Sequence, residues 1–160
     1  MSNKKIAVIG LGNTLRRDDG IGIVILESLL AFHKTSGIDY LNFGIAGFDL
    51  LHRIRDYDTV VLIDGINASL PIGELRIFEL DKIEYDLKDT VTSSHELGLK
   101  DIFELYKKLD IKTKVYVAGI QVEDVSFGEG LTDTLKARCN DITKEISEFL
   151  DVLCHTGKSR

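Results

Sequence analysis

The chain has 160 residues, enough to bury a sizeable core, and its 44% hydrophobic and 29% charged residues are ordinary for a globular protein. A formal net charge of −6, with Lys and Arg scattered, excludes a concentrated basic face, so no nucleic-acid partner is expected. No apolar run reaches membrane-spanning length, and Lys4–Gly10 is too short for the apolar region of a signal peptide. A soluble, cytoplasmic protein without membrane association is therefore expected.

In chain order, Lys5–Gly10 (KIAVIG) is predicted as a fully buried strand ending in glycine. Gly20–His33 is rich in Ile, Val and Leu and is predicted as a helix packed on the sheet. Asp18 and Asp19 stand before it, where carboxylates cap free N–H groups and complement the helix dipole. Ile38–Phe43 is a second strand, and Phe48–Arg55 a short helix with Leu50, Leu51 and Ile54 on one side. Thr59–Asp64 (TVVLID) has the β-branched run of a buried parallel strand. Glu74–Leu80 follows after too short a connection for a helical crossover, which predicts an antiparallel edge strand. The stretch Asp81–Asp89 reads as a solvated connection. Leu97–Leu109 has a helical period, Lys114–Ile120 (KVYVAGI) is a fifth strand, and Leu135 to Leu153 trace one face of a closing helix.

Five strands alternating with helices predict an α/β protein, a three-layer α/β/α sandwich with a mostly parallel sheet. With one Pro and no low-complexity run, a single domain over residues 1–160 is expected, fraying from His155 onward. Cys139 and Cys154, fifteen residues apart in the last helix, would stand about 22 Å apart, beyond disulfide reach. They read as structural thiols of a reducing compartment.

Ligands in open α/β sheets collect at the carboxyl ends of the strands. Strand one delivers the loop GLGNTLRRDDG there, strand three ends at Asp64, and Ser93–Ser94–His95 precede a helix. If strands one and three are neighbours, Asp19 and Asp64 share a crevice that His95 completes. Two carboxylates and an imidazole suit a first-row divalent metal such as nickel or zinc, with positions left for water or substrate. Each residue also has a plain structural reading: Asp19 as a cap, Asp64 as a loop-bonding carboxylate, His95 at a helix start. Gly10 and Gly12 lack the third glycine of a dinucleotide fingerprint, because Leu15 stands in its place. No Ser occupies a nucleophile elbow, and His33, His52 and His155 read as surface residues.

The motifs Gly10–Leu11–Gly12–Asn13–Thr14–Leu15 and Asp18–Asp19–Gly20–Ile21–Gly22 resemble the opening of the hydrogenase maturation proteases. Ile45–Ala46–Gly47, Leu62–Ile63–Asp64, Ser94–His95–Glu96–Leu97–Gly98–Leu99, Gly119–Ile120–Gln121 and Gly130–Leu131–Thr132 extend the resemblance to nearly the whole chain. It implies a five-stranded mixed sheet in the order 2-1-3-5-4, with strand 4 antiparallel. It also implies an endopeptidase that removes a C-terminal peptide from the nickel-loaded precursor of a nickel–iron hydrogenase large subunit. The family's metal-contacting positions match Asp19, Asp64 and His95, with nickel supplied by the precursor and other divalent metals able to substitute. Ile45 departs from the Thr found in many relatives. The chain would act as a monomer or weak oligomer, by metal-assisted attack of water, with Asp18 as a cap or a base. Two alternatives stand beside this reading: a non-catalytic nickel-binding or delivery protein that uses the same three residues, and a nucleotide-binding regulatory domain built instead on the Gly10–Gly12 turn.

Overall fold

The runs IAVIGL and TVVLIDGIN are apolar on both faces, as strands covered on both sides must be. In the computed structural model, which describes residues 3–82, 92–93 and 98–156, they form the neighbouring strands β1 (Ile6–Leu11) and β3 (Thr59–Asn67). The other strands are β2 (Ile38–Gly44), β4 (Leu75–Glu79), β5 (Thr92–Ser93) and β6 (Lys114–Gln121). The sheet runs in the order β2-β1-β3-β6-β4. β2, β1, β3 and β6 are parallel, and β4 lies antiparallel on β6, with Leu75 opposite Ile120 and Glu79 opposite Tyr116. This is the order 2-1-3-5-4 expected for the five predicted strands.

β5 is an addition to that expectation. β3 continues three residues beyond the predicted end at Asp64, and Ile66 and Asn67 pair antiparallel with Ser93 and Thr92. Two residues are too few to carry a readable hydrophobic period.

Helices α1 (Ile21–Phe32) and α4 (Asp133–Thr156) cover one face of the sheet, burying Ile25, Leu26, Leu29, Ile142, Ile146 and Leu150 against Val8, Val61, Ile63 and Ile120. Helices α2 (Phe48–Ile54) and α3 (Leu99–Lys108) cover the other, with Leu50, Ile54, Ile102 and Phe103 among Ile9, Leu62, Ile66 and Val117. α4 continues through His155 and Thr156, two residues into the tail predicted to fray, and residues 157–160 lie outside the described ones. Cys139 and Cys154 both lie on α4 and form no disulfide. Among the described residues no helix is long and apolar enough to cross a membrane.

The start of α1 corrects one expectation. Its N-cap is Gly20 and no side chain caps it. Asp18 and Asp19 lie instead inside a separate 3-10 turn, Arg17–Gly20, and neither carboxylate caps the helix. Of the predicted connection Asp81–Asp89, only Asp81 and Lys82 fall within the described residues, where they close a short 3-10 turn.

Candidate functional site

The chain crosses from β1 to α1 by folding back on itself at very short range. A Cβ on Gly12, whose φ is +149°, would stand 2.2 Å from the Asp19 carbonyl oxygen. One on Gly22 would stand 2.1 Å from the Leu11 carbonyl oxygen and 2.3 Å from that of Ile63. All three distances are impossible for a real side chain, so these glycines let the turn and the first residues of α1 lie directly on the ends of β1 and β3. The Gly10–Gly12 spacing thus serves backbone packing, and acidic residues occupy the turn where a pyrophosphate would need a helix N-terminus.

That packing places Asp19. It is 1% exposed, and its Oδ2 accepts a hydrogen bond from the Asn13 N–H at 3.1 Å. Asp64 is fully buried near the end of β3, in register with Gly119 of β6. Leu62 and Ile66 point into the α2–α3 layer, and the period-two alternation of a strand gives Asp64 the same face. The turn carrying Asp19 abuts the same strand end: the Asp18 carbonyl oxygen lies 3.5 Å from where a Gly65 Cβ would stand. Asp19 and Asp64 therefore reach one edge of the sheet from adjoining segments.

The third predicted member, His95, lies outside the described residues, as do Ser94, Glu96 and Leu97. The positions that bracket it are Ser93, opposite Ile66 on β3, and Gly98, the N-cap of α3. Among the described residues no three His, Cys, Asp or Glu side chains form a metal-holding group.

The structure assigns Asp18 a role the sequence reading divided between cap and base. Its carboxylate is fully buried and accepts hydrogen bonds from the Glu123 and Asp124 N–H groups at 3.0 and 3.1 Å and from the Thr132 N–H at 2.8 Å. The Thr132 hydroxyl lies 3.0 and 2.9 Å from its two oxygens. Asp18 also donates its own N–H to the Asp124 carbonyl at 3.0 Å. A carboxylate so occupied holds the loop between β6 and α4 against the turn that carries Asp19, and is poorly placed to act as a base.

Further ties reinforce that loop. Arg17, left-handed at φ +44°, donates its N–H to Gly128 at 3.0 Å, and Arg16 Nε donates to the Val125 carbonyl at 3.0 Å. The Ser126 hydroxyl and N–H, then the Arg17 guanidinium, hold the Asp124 carboxyl below its ordinary range. Burial, and then the nearby Asp18 charge, push the Cys139 thiol up, which keeps it protonated and unsuited to nucleophilic work. His33, His52 and His155 are exposed, as expected.

Gln121 is a second residue with no role assigned from the sequence. Buried at the end of β6, its Oε1 accepts from the Ala68 and Leu70 N–H groups at 2.8 and 3.2 Å, and its Nε2 donates to the Val122 carbonyl at 2.9 Å. It braces the chain leaving β3 just beyond Asp64. The signal for Gln121 and Thr132 lay in the motifs Gly119–Ile120–Gln121 and Gly130–Leu131–Thr132, which mark resemblance without stating chemistry.

The fold and site together define an α/β/α protein whose sheet edge presents buried acids in place of a phosphate cradle. A family model described as HycI, hydrogenase maturation protease, matches residues 23–149. The hydrogenase expression/formation protein HupD of Thiocapsa roseopersicina is 31% identical over 159 residues, spanning 98% of this chain and 71% of that protein. The crystal structure of the [NiFe] hydrogenase maturation protease HycI from Thermococcus kodakarensis superposes with a TM-score of 0.72 at 28% identity, covering 94% of this chain and 95% of that one. The hydrogenase maturating endopeptidase HybD from E. coli gives 0.74 at 27% identity, covering 89% of each chain. The chain belongs to the hydrogenase maturation protease family, and it is an endopeptidase of that class.

Proposed function

We propose that this endopeptidase removes a C-terminal peptide from the precursor of a nickel–iron hydrogenase large subunit once nickel is in place. In this reading Asp19, Asp64 and His95 contact nickel that arrives with the substrate. The observation that carries it is the delivery of two carboxylates, 1% and 0% exposed, to one edge of the sheet from adjoining segments. Carboxylate and imidazole donors suit a divalent first-row ion, and three protein ligands leave coordination positions to the substrate.

The chain's own residues would then bind and orient. Asp64 offers a carboxylate on the rigid central strand, Asp19 a second from the glycine-packed turn, and His95 a neutral nitrogen donor. Holding the nickel-bearing end of the precursor in this way aligns its scissile bond, the source of much of the rate advantage in a positioned hydrolysis. A metal held by Asp19, Asp64 and His95 would polarise a neighbouring carbonyl and lower the pKa of bound water. Asp18, with its oxygens engaged by the 122–132 loop, keeps Asp19 in place. The reaction belongs to the cytoplasm, where thiols such as Cys139 stay reduced.

The test is incubation with the host's large-subunit precursor, nickel-loaded in one sample and nickel-free in another, followed by intact mass spectrometry. Loss of a short C-terminal peptide only from the loaded precursor is the expected result. Intact precursor in both samples, with binding retained, would instead favour a non-catalytic nickel-binding role.

A further inference from the structure

Large apolar side chains exposed to water are ordinary when scattered singly, and informative when several border one site. Leu15 is 61% exposed and Phe127 83%. They lie on the loops that meet beside Asp19, and Ile45 and Phe48, also exposed, lie just beyond β2 at the same end of the sheet. The Gly12 N–H, donated to the Gly44 carbonyl at 2.8 Å, joins that β2 end to the Leu15 loop.

Phe127 stands out because its loop is held so firmly. The Gly128 N–H donates to the Leu15 carbonyl at 2.9 Å, the Arg17 N–H to the Gly128 carbonyl at 3.0 Å, and Arg16 Nε to the Val125 carbonyl at 3.0 Å. The Arg16 guanidinium also lies over the Phe127 ring, 5.8 Å from its centroid. The Asp18 carboxylate fixes the loop on both sides, at Glu123 and Asp124 before it and at Thr132 after it. An aromatic ring exposed to this extent adds little to the core, yet the backbone beneath it is immobilised. Rigid, exposed aromatic anchors are what binding hot spots are made of, because little conformational entropy is lost when a partner covers them.

We propose that Phe127 and Leu15 form an apolar anchor that engages the hydrogenase large-subunit precursor beside the scissile segment and sets how tightly it is bound. The identity of the partner rests on the proposed function. The place of the anchor follows from continuity: backbone hydrogen bonds join the loops of Leu15 and Phe127 to the turn that carries Asp19, so a polypeptide held at that turn would have both as neighbours. The matching feature on the precursor is an apolar surface next to its C-terminal tail.

The experiment compares the full-length parent protein with Phe127→Ser, Leu15→Ser and the double variant. Phe32→Ser, at an exposed position on the last turn of α1, serves as control. Binding of nickel-loaded precursor is measured by calorimetry, cleavage kinetics by mass spectrometry, and folding by thermal melts. Kd and KM of the double variant are expected to rise about tenfold or more, with kcat held within about twofold and Phe32→Ser matching the parent. Phe127→Leu, which keeps an apolar side chain, should retain most of the affinity and separates lost contact from a disturbed loop. A double variant that binds with the parent's Kd overturns the anchor, whether or not cleavage occurs. An equal loss of affinity in Phe32→Ser overturns it as well. A parent that binds but never cleaves, with binding lost in the double variant, supports the anchor and counts against the cleavage reading alone. A parent that does not bind the precursor overturns both.

Discussion

The carboxylate of Asp18 accepts both the N–H and the hydroxyl of Thr132, a residue 114 positions further along the chain. This contact closes the loop after β6 onto the turn after β1, and the residue that follows Asp18 is the proposed metal-contacting Asp19. The geometry of the site thus depends on a carboxylate that touches no substrate in the proposed scheme.

Asp18→Asn keeps the shape but sets an NH2 group against N–H and hydroxyl donors. Loss of charge-assisted bonds in a buried setting is expected to cost about 2–4 kcal/mol, or a fall in Tm of about 5–15 °C. Thr132→Val removes only the hydroxyl and should cost about 1 kcal/mol. Thermal melts of both variants check the ranking, and a milder effect at Asp18 than at Thr132 would contradict it.

Gly22→Ala drives a methyl group into the Leu11 and Ile63 carbonyls, 2.1 and 2.3 Å from its ideal position. Neither strand can yield without disturbing the centre of the sheet, so a loss of about 3 kcal/mol or more, or failure to fold, is expected. Gly37→Ala is the contrast: nothing lies within 4 Å, and its φ of +84° is the sole penalty. About 1–2 kcal/mol is expected there. Urea unfolding of the pair separates steric clash from backbone strain.

Gln121→Ala leaves the Ala68 and Leu70 N–H groups without their acceptor. Hydrogen exchange at these two amides should accelerate about tenfold or more while the pairing of β3 with β6 stays protected. Unchanged exchange at residues 68 and 70 would show that another group braces the segment.

Asp64→Asn should leave the fold intact while lowering precursor processing at least about a hundredfold, because a neutral amide replaces an anionic donor. His95→Ala should do the same. Processing at the parent rate in either variant removes that residue from the proposed contact set.

The acid limb of the stability profile should contain a contribution from Glu79. Burial acts to raise its carboxyl, but Lys82 and Lys114, with Nζ atoms 3.2 and 3.4 Å from its two oxygens, outweigh that and hold it below its usual value of 4.5. A group depressed in the folded state binds more protons when unfolded, so its contribution is present above the unfolded value and is lost as pH falls through the folded one. Denaturant titrations between about pH 3 and 7 should therefore show a shallower acid decline in Glu79→Gln than in the parent. Identical slopes would assign the decline to other carboxylates.

Much of the fold was legible because its determinants are local. The β-branched runs of β1, β3 and β6, the helical periods of α3 and α4, and the short connection before β4 each lie within a few consecutive residues. The edge at which Asp19 and Asp64 arrive followed from the general rule for parallel sheets. The exact strand order came from family resemblance, since periodicity alone does not rank neighbours.

Tertiary structure alone decided the rest. The sequence could place Asp18 before a helix, but local position could not distinguish a cap from a clamp, because the partners that settle it lie 105 to 114 residues away. The same holds for β5, which exists only because β3 continues past Asp64 and offers backbone groups to pair, and for Phe127, whose exposure depends on the stapled loop beneath it. Hydrophobic periodicity reports how each segment meets the core. Hydrogen bonds between loops become possible only when the finished sheet brings distant backbone groups within about 3 Å.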